Sequence, residues 1–282
     1  MSWPIILPVV TVEIITIGNE ILLGLVQDTN SNYLCRVVRG MGGRTRRITV
    51  VRDDVDEISA ALKCSVSRNA DLIVTCGGLG PTDDDLTLAA VAAATGQPIS
   101  MNPDARCFVE RKYRALADAG FVSNGEMNEY RLKMARLPEG ASMIENPVGA
   151  APAVWMRHQG SRIVCLPGVP SELKAIVEGP LQALLGQVFG VGSYREAEIL
   201  VECGDESQLA PSLRRVTSAH PEVYIKSRAS TFGPAVRFRI MISATAGTAG
   251  GAEAKVQQAV SELISVLAEA GIQTVPSKSD VH

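Results

Sequence analysis

The sequence predicts an α/β protein, with a mostly parallel sheet covered by helices and then a small α+β unit. Three observations carry this. Between Val12 and Thr95 a β-prone run followed by a helical pattern occurs three times, with short connections. Parallel strands with right-handed helical crossovers are the expected result. Hydrophobic residues make up 46% of the 282 residues and aromatics only 4%, so the core is aliphatic, which suits this architecture. Glycines then cluster over Gly186 to Gly192, and beyond them the order becomes strand–helix–strand–strand–helix.

Val12 to Ile17 is the first strand, and the apolar run from Ile5 is its extended lead-in. Asp28-Thr29-Asn30-Ser31 is rich in helix caps. Leu34, Val37, Val38 and Met41 then fall on one helical face, which Gly42-Gly43 ends. Arg44 to Val51 is the second strand, and its arginines Arg44, Arg46 and Arg47 read as an exposed edge. Asp53-Asp54 opens a helix with Val55, Ile58, Leu62 and Val66 on one face. Leu72 to Cys76 is the third strand and Leu88 to Ala94 the third helix.

Pro103 to Gly120 and Gly125 to Ala135 read as further helices, the second from Met127, Tyr130 and Met134. Leu137 to Gly140 is a turn, and Asn146 to Pro152 is too rich in Pro and Gly for regular structure. Val154 to Arg157 and Arg162 to Cys165 form a hairpin through Gln159-Gly160. A helix starts at Pro170 and runs towards Leu185. In the second unit Glu198 to Cys203, Val223 to Lys226 and Val236 to Ile242 read as strands. Glu206 to Val216 and Ala252 to Ala270 read as helices, Ala244 to Gly251 as a turn, and the chain from Pro276 as a loose tail. The expected domains are residues 11–188 and 193–276, with 277–282 as the tail.

Composition excludes several classes. The formal net charge of -3 offers no basic field for nucleic acid. The six cysteines form no C-x-x-C pair, so a metal–thiolate site and a disulfide framework are not expected, and a cytoplasmic location is. No apolar run is long enough for a membrane span, and Ile5 to Val12 is preceded by no Lys or Arg, so a signal peptide is not expected either. His158 and His220 lack partners at ligand spacing and read as structural.

The chemistry concentrates in Gly77-Gly78-Leu79-Gly80-Pro81-Thr82-Asp83-Asp84-Asp85. A glycine loop between strand and helix presents free backbone N–H groups where a phosphate can sit. Three carboxylates alone would repel it. Together they suggest a phosphate ligand bridged by a divalent cation. Ligands of parallel sheets gather at the carboxyl ends of strands, which would bring Gly18–Glu20, Asp53-Asp54 and Gly77–Asp85 to one edge. Helix capping is the competing reading for Asp84 or Asp85, for Asp53-Asp54 and for Asp28.

Thr16 to Gly24, Asp28-Thr29-Asn30, Gly77 to Thr87, Asn146 to Gly149 and Leu166 to Glu172 resemble, in order, the CinA-type competence/damage-inducible proteins. The resemblance covers Val12 to about Leu185 and is closest to the short archaeal members. It implies a three-layer MoaB/MogA-like molybdopterin-binding domain, then a small KH-like domain. It also implies metal-dependent hydrolysis of ADP-ribose to AMP and ribose 5-phosphate, and a homo-oligomer. The family's C-terminal nicotinamide mononucleotide deamidase domain is not expected in a chain that stops at His282. Three departures matter. Asn19 stands where the family often has Asp, Ala150 stands where it has Thr, and the second domain lacks a Gly-x-x-Gly loop, so no nucleic-acid partner is expected.

In this reading Asp84 and Asp85 lie at the metal or phosphate, with Asp53 from the neighbouring strand end and Glu20 as a further metal ligand. Asp85 matches the MogA-like motif position most directly. Gly18, Gly77, Gly78, Gly80 and Thr82 cradle phosphate, and Lys133 neutralises a diphosphate unless it is simply a solvated helix face. Asp28, Asn146, Gly149, Gly168 and Ser171 complete the nucleotide or pterin pocket. The cofactor is a divalent metal, Mg, Co or Ni. Two alternatives use the same loop: a molybdopterin-binding or adenylylating protein of molybdenum cofactor biosynthesis, and a non-catalytic nucleotide-binding protein.

Overall fold

The computed structural model describes residues 9–190, 192–229, 237–248 and 250–275. They divide into two compact units. One holds residues 10–38 and 44–190, and the other holds 39–43 and those from 192 onwards. The expected lead-in before Val9, the position of Val236 and the tail from Pro276 lie outside the described residues.

The first unit runs β1 (Thr11–Ile17), α1 (Asn19–Leu22), α2 (Thr29–Gly40), β2 (Arg44–Val51), α3 (Val55–Ser67), β3 (Leu72–Cys76), α4 (Thr87–Thr95), β4 (Ile99–Met101) and α5 (Pro103–Asp118). It continues with α6 (Glu129–Lys133), β5 (Arg136–Pro138), β6 (Ser142–Ile144), β7 (Ala153–His158), β8 (Ser161–Leu166), α7 (Pro170–Glu178) and α8 (Gln182–Phe189). Six strands form one sheet in the order β2-β1-β3-β8-β7-β6. The strands β2, β1, β3 and β8 are parallel, and β7 and β6 add antiparallel.

Burial explains the layering. All five residues of β3 are buried, as a strand covered on both faces requires. On one face Ile15, Ile17, Ile73 and Ile163 pack with Ile58, Leu62, Leu88 and Val91. The opposite parity, Ile14, Val74 and Val164, is buried too. Leu34 and Val38 of α2 and Leu173 and Ile176 of α7 are the buried sides of their helices. Each such side chain contributes about 1.5–3 kcal/mol on burial. One charge enters this core. Glu13, 1% exposed, accepts from Arg68 Nε at 2.8 Å and from Ser65 Oγ at 2.8 Å.

Several elements differ from the sequence expectation. The helix expected over Gly125 to Ala135 is only α6, because Asn128 caps it by accepting from Arg131 N at 3.0 Å. Tyr130 points to solvent, so the Met127–Tyr130–Met134 spacing does not mark one buried face. The expected turn at Leu137-Pro138 is strand, since β5 pairs antiparallel with β4. The turn begins one step later, with Ala141 N donating to Pro138 O at 3.1 Å. The helix from Pro170 breaks at Gly179-Pro180 and resumes as α8. Ser142–Ile144 is strand β6, at the edge of the sheet.

The second unit runs β9 (Ser193–Glu202), α9 (Glu206–Ala219), β10 (Val223–Ala229), β11 (Arg237–Ala246), α10 (Gly251–Glu269) and β12 (Gln273–Val275). Its antiparallel sheet has the order β10-β11-β9-β12. Ile199, Val201, Ile240 and Ile242 pack against Leu209, Val216, Leu263 and Leu267. The strand β11 extends to Ala246, so the first part of the expected Ala244–Gly251 turn is paired backbone. The strand β12 has no counterpart in the sequence expectation.

Candidate functional site

The carboxyl ends of the four parallel strands meet at one edge of the first sheet, and the ladder extends past them. Gly18 N donates to Val51 O at 3.2 Å, and Gly77 N donates to Leu166 O at 3.0 Å. Beyond these bonds the chain opens a cavity of about 560 Å3. Gly18 and Glu20 follow β1, Asp53 follows β2, Gly77–Asp85 follow β3, and Pro167–Val169 follow β8.

Glycine at two of these positions is a steric necessity. Gly77 has φ 107°, and a Cβ there would meet Ile17 O at 2.3 Å. A Cβ on Gly78, with φ 68°, would meet Thr87 Oγ1 at 2.4 Å. That hydroxyl is committed, donating to Gly77 O at 2.7 Å while Thr87 N donates to Gly78 O at 3.1 Å. The loop floor is therefore fixed to the start of α4 by two bonds.

The acidic run forms a turn of its own. Asp85 Oδ2 accepts from Thr82 N at 2.8 Å, and Asp85 N donates to Thr82 O at 3.1 Å. Thr82 Oγ1 lies 2.5 Å from Asp84 Oδ1 and 2.5 Å from Asp85 Oδ2. Its one proton serves Asp84 while Thr82 N serves Asp85, so one threonine holds both carboxylates. Its hydrogen bond, then the Asp84 backbone N–H and the Lys133 charge, hold the Asp84 carboxyl below its usual value. The N-cap of α4 is Leu86, with no side-chain bond. The helix-capping reading of Asp84 and Asp85 is thereby corrected. The ambiguity at Asp53-Asp54 resolves residue by residue. Asp54 caps α3, accepting from Asp56 N and Glu57 N at 2.9 and 3.0 Å. Asp53 lines the cavity and accepts from Asn19 N at 2.8 Å.

The predicted residues divide into three groups. Gly18, Glu20, Asp53, Gly77, Gly78, Gly80, Asp84, Asp85 and Gly168 line the cavity. Thr82, Lys133, Asn146 and Gly149 stand behind it. Lys133 donates to Thr82 O and borders a smaller cavity of about 220 Å3 that shares Gly78–Gly80 and Asp85. Asn146 is fully buried and satisfies both ends of its amide. It donates to Ala151 O at 2.9 Å and Glu172 Oε2 at 2.7 Å, and accepts from Val148 N and Gly149 N. Asp28 and Ser171 are not among the lining residues. Asp28 caps α2 by accepting from Ser31 N at 2.9 Å, and it accepts from Thr16 Oγ1 at 3.0 Å. Ser171 is exposed on the first turn of α7.

Sequence reasoning assigned no role to Glu172, Tyr113 or Met134, which also line the cavity. Glu172 reads as an ordinary first-turn acid of a helix. Its visible signals are its place just after the β8 strand end and at the close of the Leu166–Glu172 stretch.

Five carboxylates face the cavity, Glu20, Asp53, Asp84, Asp85 and Glu172, and no Lys or Arg is among its described lining. Among the described residues no group of three or more His, Cys, Asp or Glu side chains is placed to hold a metal ion. Glu20 therefore does not complete a triad with Asp84 and Asp85. Two neighbouring carboxylates on one threonine do suit a hard cation of the Mg2+ kind, which is commonly held by one or two carboxylates plus phosphate oxygens. No described helix is long and apolar enough to cross a membrane.

Comparison with known proteins identifies the family. The profile of a family described as a probable molybdopterin binding domain matches residues 13–186. Protein TK1472 of Thermococcus kodakarensis is 39% identical over 221 residues, covering 78% of this chain and 86% of its own. A protein of Aeropyrum pernix is 38% identical over 266 residues, covering 91% and 96%. Among solved structures, the protein CinA with unknown function from Thermoplasma acidophilum is 36% identical with a TM-score of 0.56, covering 63% of this chain and 98% of its own.

Proposed function

Because the chain belongs to the probable molybdopterin binding domain family, with its MoaB/MogA-like α/β fold, we propose that it is a metal-dependent pyrophosphatase acting on a nucleoside diphosphate sugar such as ADP-ribose. The observation that carries this reading is the pairing of Asp84 and Asp85 on Thr82 beside the Gly77–Gly80 floor. The expected cradle is narrower than the sequence suggests, because Gly18 N, Gly77 N and Thr82 N are already bonded to Val51 O, Leu166 O and Asp85 Oδ2. The N–H groups of Gly78 to Gly80 would be the ones to meet a phosphate, which acids alone do not suit.

Asp84 and Asp85 would hold the divalent cation, which neutralises diphosphate charge and lowers the pKa of bound water. The reaction adds water across the P–O–P bridge. The water oxygen joins one phosphorus, the bridging oxygen leaves with the other, and the products are AMP and ribose 5-phosphate. Asp85 is oriented through both its side chain and its backbone, which suits a group that must stay aimed at the reacting phosphate. Lys133 fixes the Thr82 carbonyl and so acts on the loop from behind. The test is incubation with ADP-ribose and Mg2+, Co2+ or Ni2+ in turn, followed by chromatography. Equimolar AMP and ribose 5-phosphate, abolished by a chelator, is the expected result.

A second reading is favoured by the family profile over residues 13–186. The same cavity would bind molybdopterin or adenylylate it during molybdenum cofactor biosynthesis. No AMP with any of the three ions, together with tight pterin binding, would establish that reading instead.

A further inference from the structure

We infer that Glu172 reads the ligand through a pair of vicinal hydroxyls, and so selects a ribose-bearing nucleotide over its deoxy analogue. This rests on the reading of the cavity as a nucleotide site. Glu172 lines the cavity, and its only described hydrogen bond is the one that Oε2 accepts from Asn146 Nδ2 at 2.7 Å. An ionised carboxylate has about four lone-pair sites, so most remain open. It forms no ion pair among the described residues, and it joins no metal-binding group with Asp84 and Asp85. A carboxylate so placed repels phosphate and needs a donor.

Its direction is fixed. Asn146 is fully buried, with both donors and its acceptor engaged, so it cannot turn away. Gly149 lies flush on the carboxylate, where a Cβ would stand 2.1 Å from Oε2. Lys112 is near enough to feel this charge, but its Nζ donates to Pro147 O at 2.9 Å and forms no described ion pair with Glu172, so the cavity is left to supply the further donors. In a nucleoside diphosphate sugar whose phosphates lie on the Asp84–Asp85 side, a ribose diol supplies two O–H donors together. Hydrogen bonds to a charged acceptor are roughly twice as strong as neutral ones, and an acidic residue on ribose hydroxyls is a recurrent device of nucleotide sites.

The test is calorimetric titration of the full chain with AMP and with 2′-deoxyadenosine 5′-monophosphate, repeated for Glu172→Gln and Glu172→Ala. The wild type is expected to bind AMP about tenfold more tightly than the deoxynucleotide, which is one charge-assisted hydrogen bond. Both variants should lose the difference, their affinity for AMP falling by more than their affinity for the deoxynucleotide, which keeps one of the two hydroxyls. Equal affinity of the two nucleotides for the wild type, or failure to bind either, overturns the inference without any variant. So does discrimination that survives in Glu172→Ala. A pterin bound in preference to AMP, with that preference lost in Glu172→Gln, would reassign the carboxylate to a ring edge. Hydrolysis is not read in this experiment. Discrimination without AMP formation from ADP-ribose would sink the hydrolase reading alone, and hydrolysis without discrimination would sink this one alone.

Discussion

Thr82 and Asp85 grip each other through two backbone-anchored bonds. Thr82 N donates to Asp85 Oδ2 at 2.8 Å, and Asp85 N donates to Thr82 O at 3.1 Å. The Thr82 hydroxyl adds the link to Asp84. The loop is thus a self-contained turn that holds two carboxylates on the cavity without spending either on the helix end. Its predictions can be tested apart from the core.

Removing only the hydroxyl tests the link. In Thr82→Val the backbone N–H still reaches Asp85, but Asp84 loses the hydrogen bond that favours its charge. The Asp84 carboxyl should then titrate higher, towards its ordinary value of 3.8, as read by carboxyl NMR. An unchanged titration would show that the hydroxyl does not set the charge there.

Two glycine substitutions should act differently. In Gly77→Ala the new Cβ meets a strand carbonyl, Ile17 O, and the residue has φ 107°. Neither can yield, so stability should fall by roughly 2 kcal/mol or more in urea unfolding. In Gly149→Ala the obstacle is a side-chain carboxylate, which the new Cβ would push off Asn146 Nδ2 without moving backbone, so nucleotide affinity should fall with a much smaller stability loss. Equal stability losses would contradict the distinction.

Asn146→Ala leaves Val148 N, Gly149 N and Ala151 O without their partner; Asn146 is fully buried, whereas Val148 is exposed and Gly149 and Ala151 are half-buried. A fully buried uncompensated group costs about 1–3 kcal/mol, and the partial exposure of these three brings the expected total to roughly 1–3 kcal/mol in urea unfolding. A loss below about 1 kcal/mol would mean that water replaces the amide.

How much of this was legible in the sequence depended on the length and contrast of each signal. The three strand–helix repeats were legible because β-branched runs such as Leu72–Cys76 alternate with clear helical faces. The strands β4 and β5 have three residues each and pair only with one another, so nothing in their local pattern announces them. Neighbouring aspartates were legible as a group but not individually. Asp53 and Asp54 are equal as capping residues by type, and only the fold turns one to α3 and the other to the cavity. Glu172 was hidden for the same reason, because its position after β8 matters only once four strand ends meet.

The buried acid of β1 predicts a pH dependence. Burial opposes the charge of Glu13, but hydrogen bonds from Arg68 and Ser65 outweigh it and hold its carboxyl below the usual 4.5. The folded pKa is depressed, so this contribution is complete above the unfolded value and is lost as pH falls through the folded one. Between about pH 5 and pH 3 the wild type should lose stability more steeply than Glu13→Gln, as judged from urea midpoints. Parallel slopes would contradict the assignment.

The central claim is that the Asp84–Asp85 turn carries out metal-dependent hydrolysis, and the most direct measurement compares wild type with Asp85→Asn. The amide keeps an oxygen to accept from Thr82 N, so the melting temperature should change by only a few degrees. AMP formation from ADP-ribose with Mg2+, Co2+ or Ni2+ should fall by roughly 10²- to 10⁴-fold in the variant. Turnover that persists unchanged in the folded variant, or a wild type that releases no AMP with any of these ions, would contradict the account.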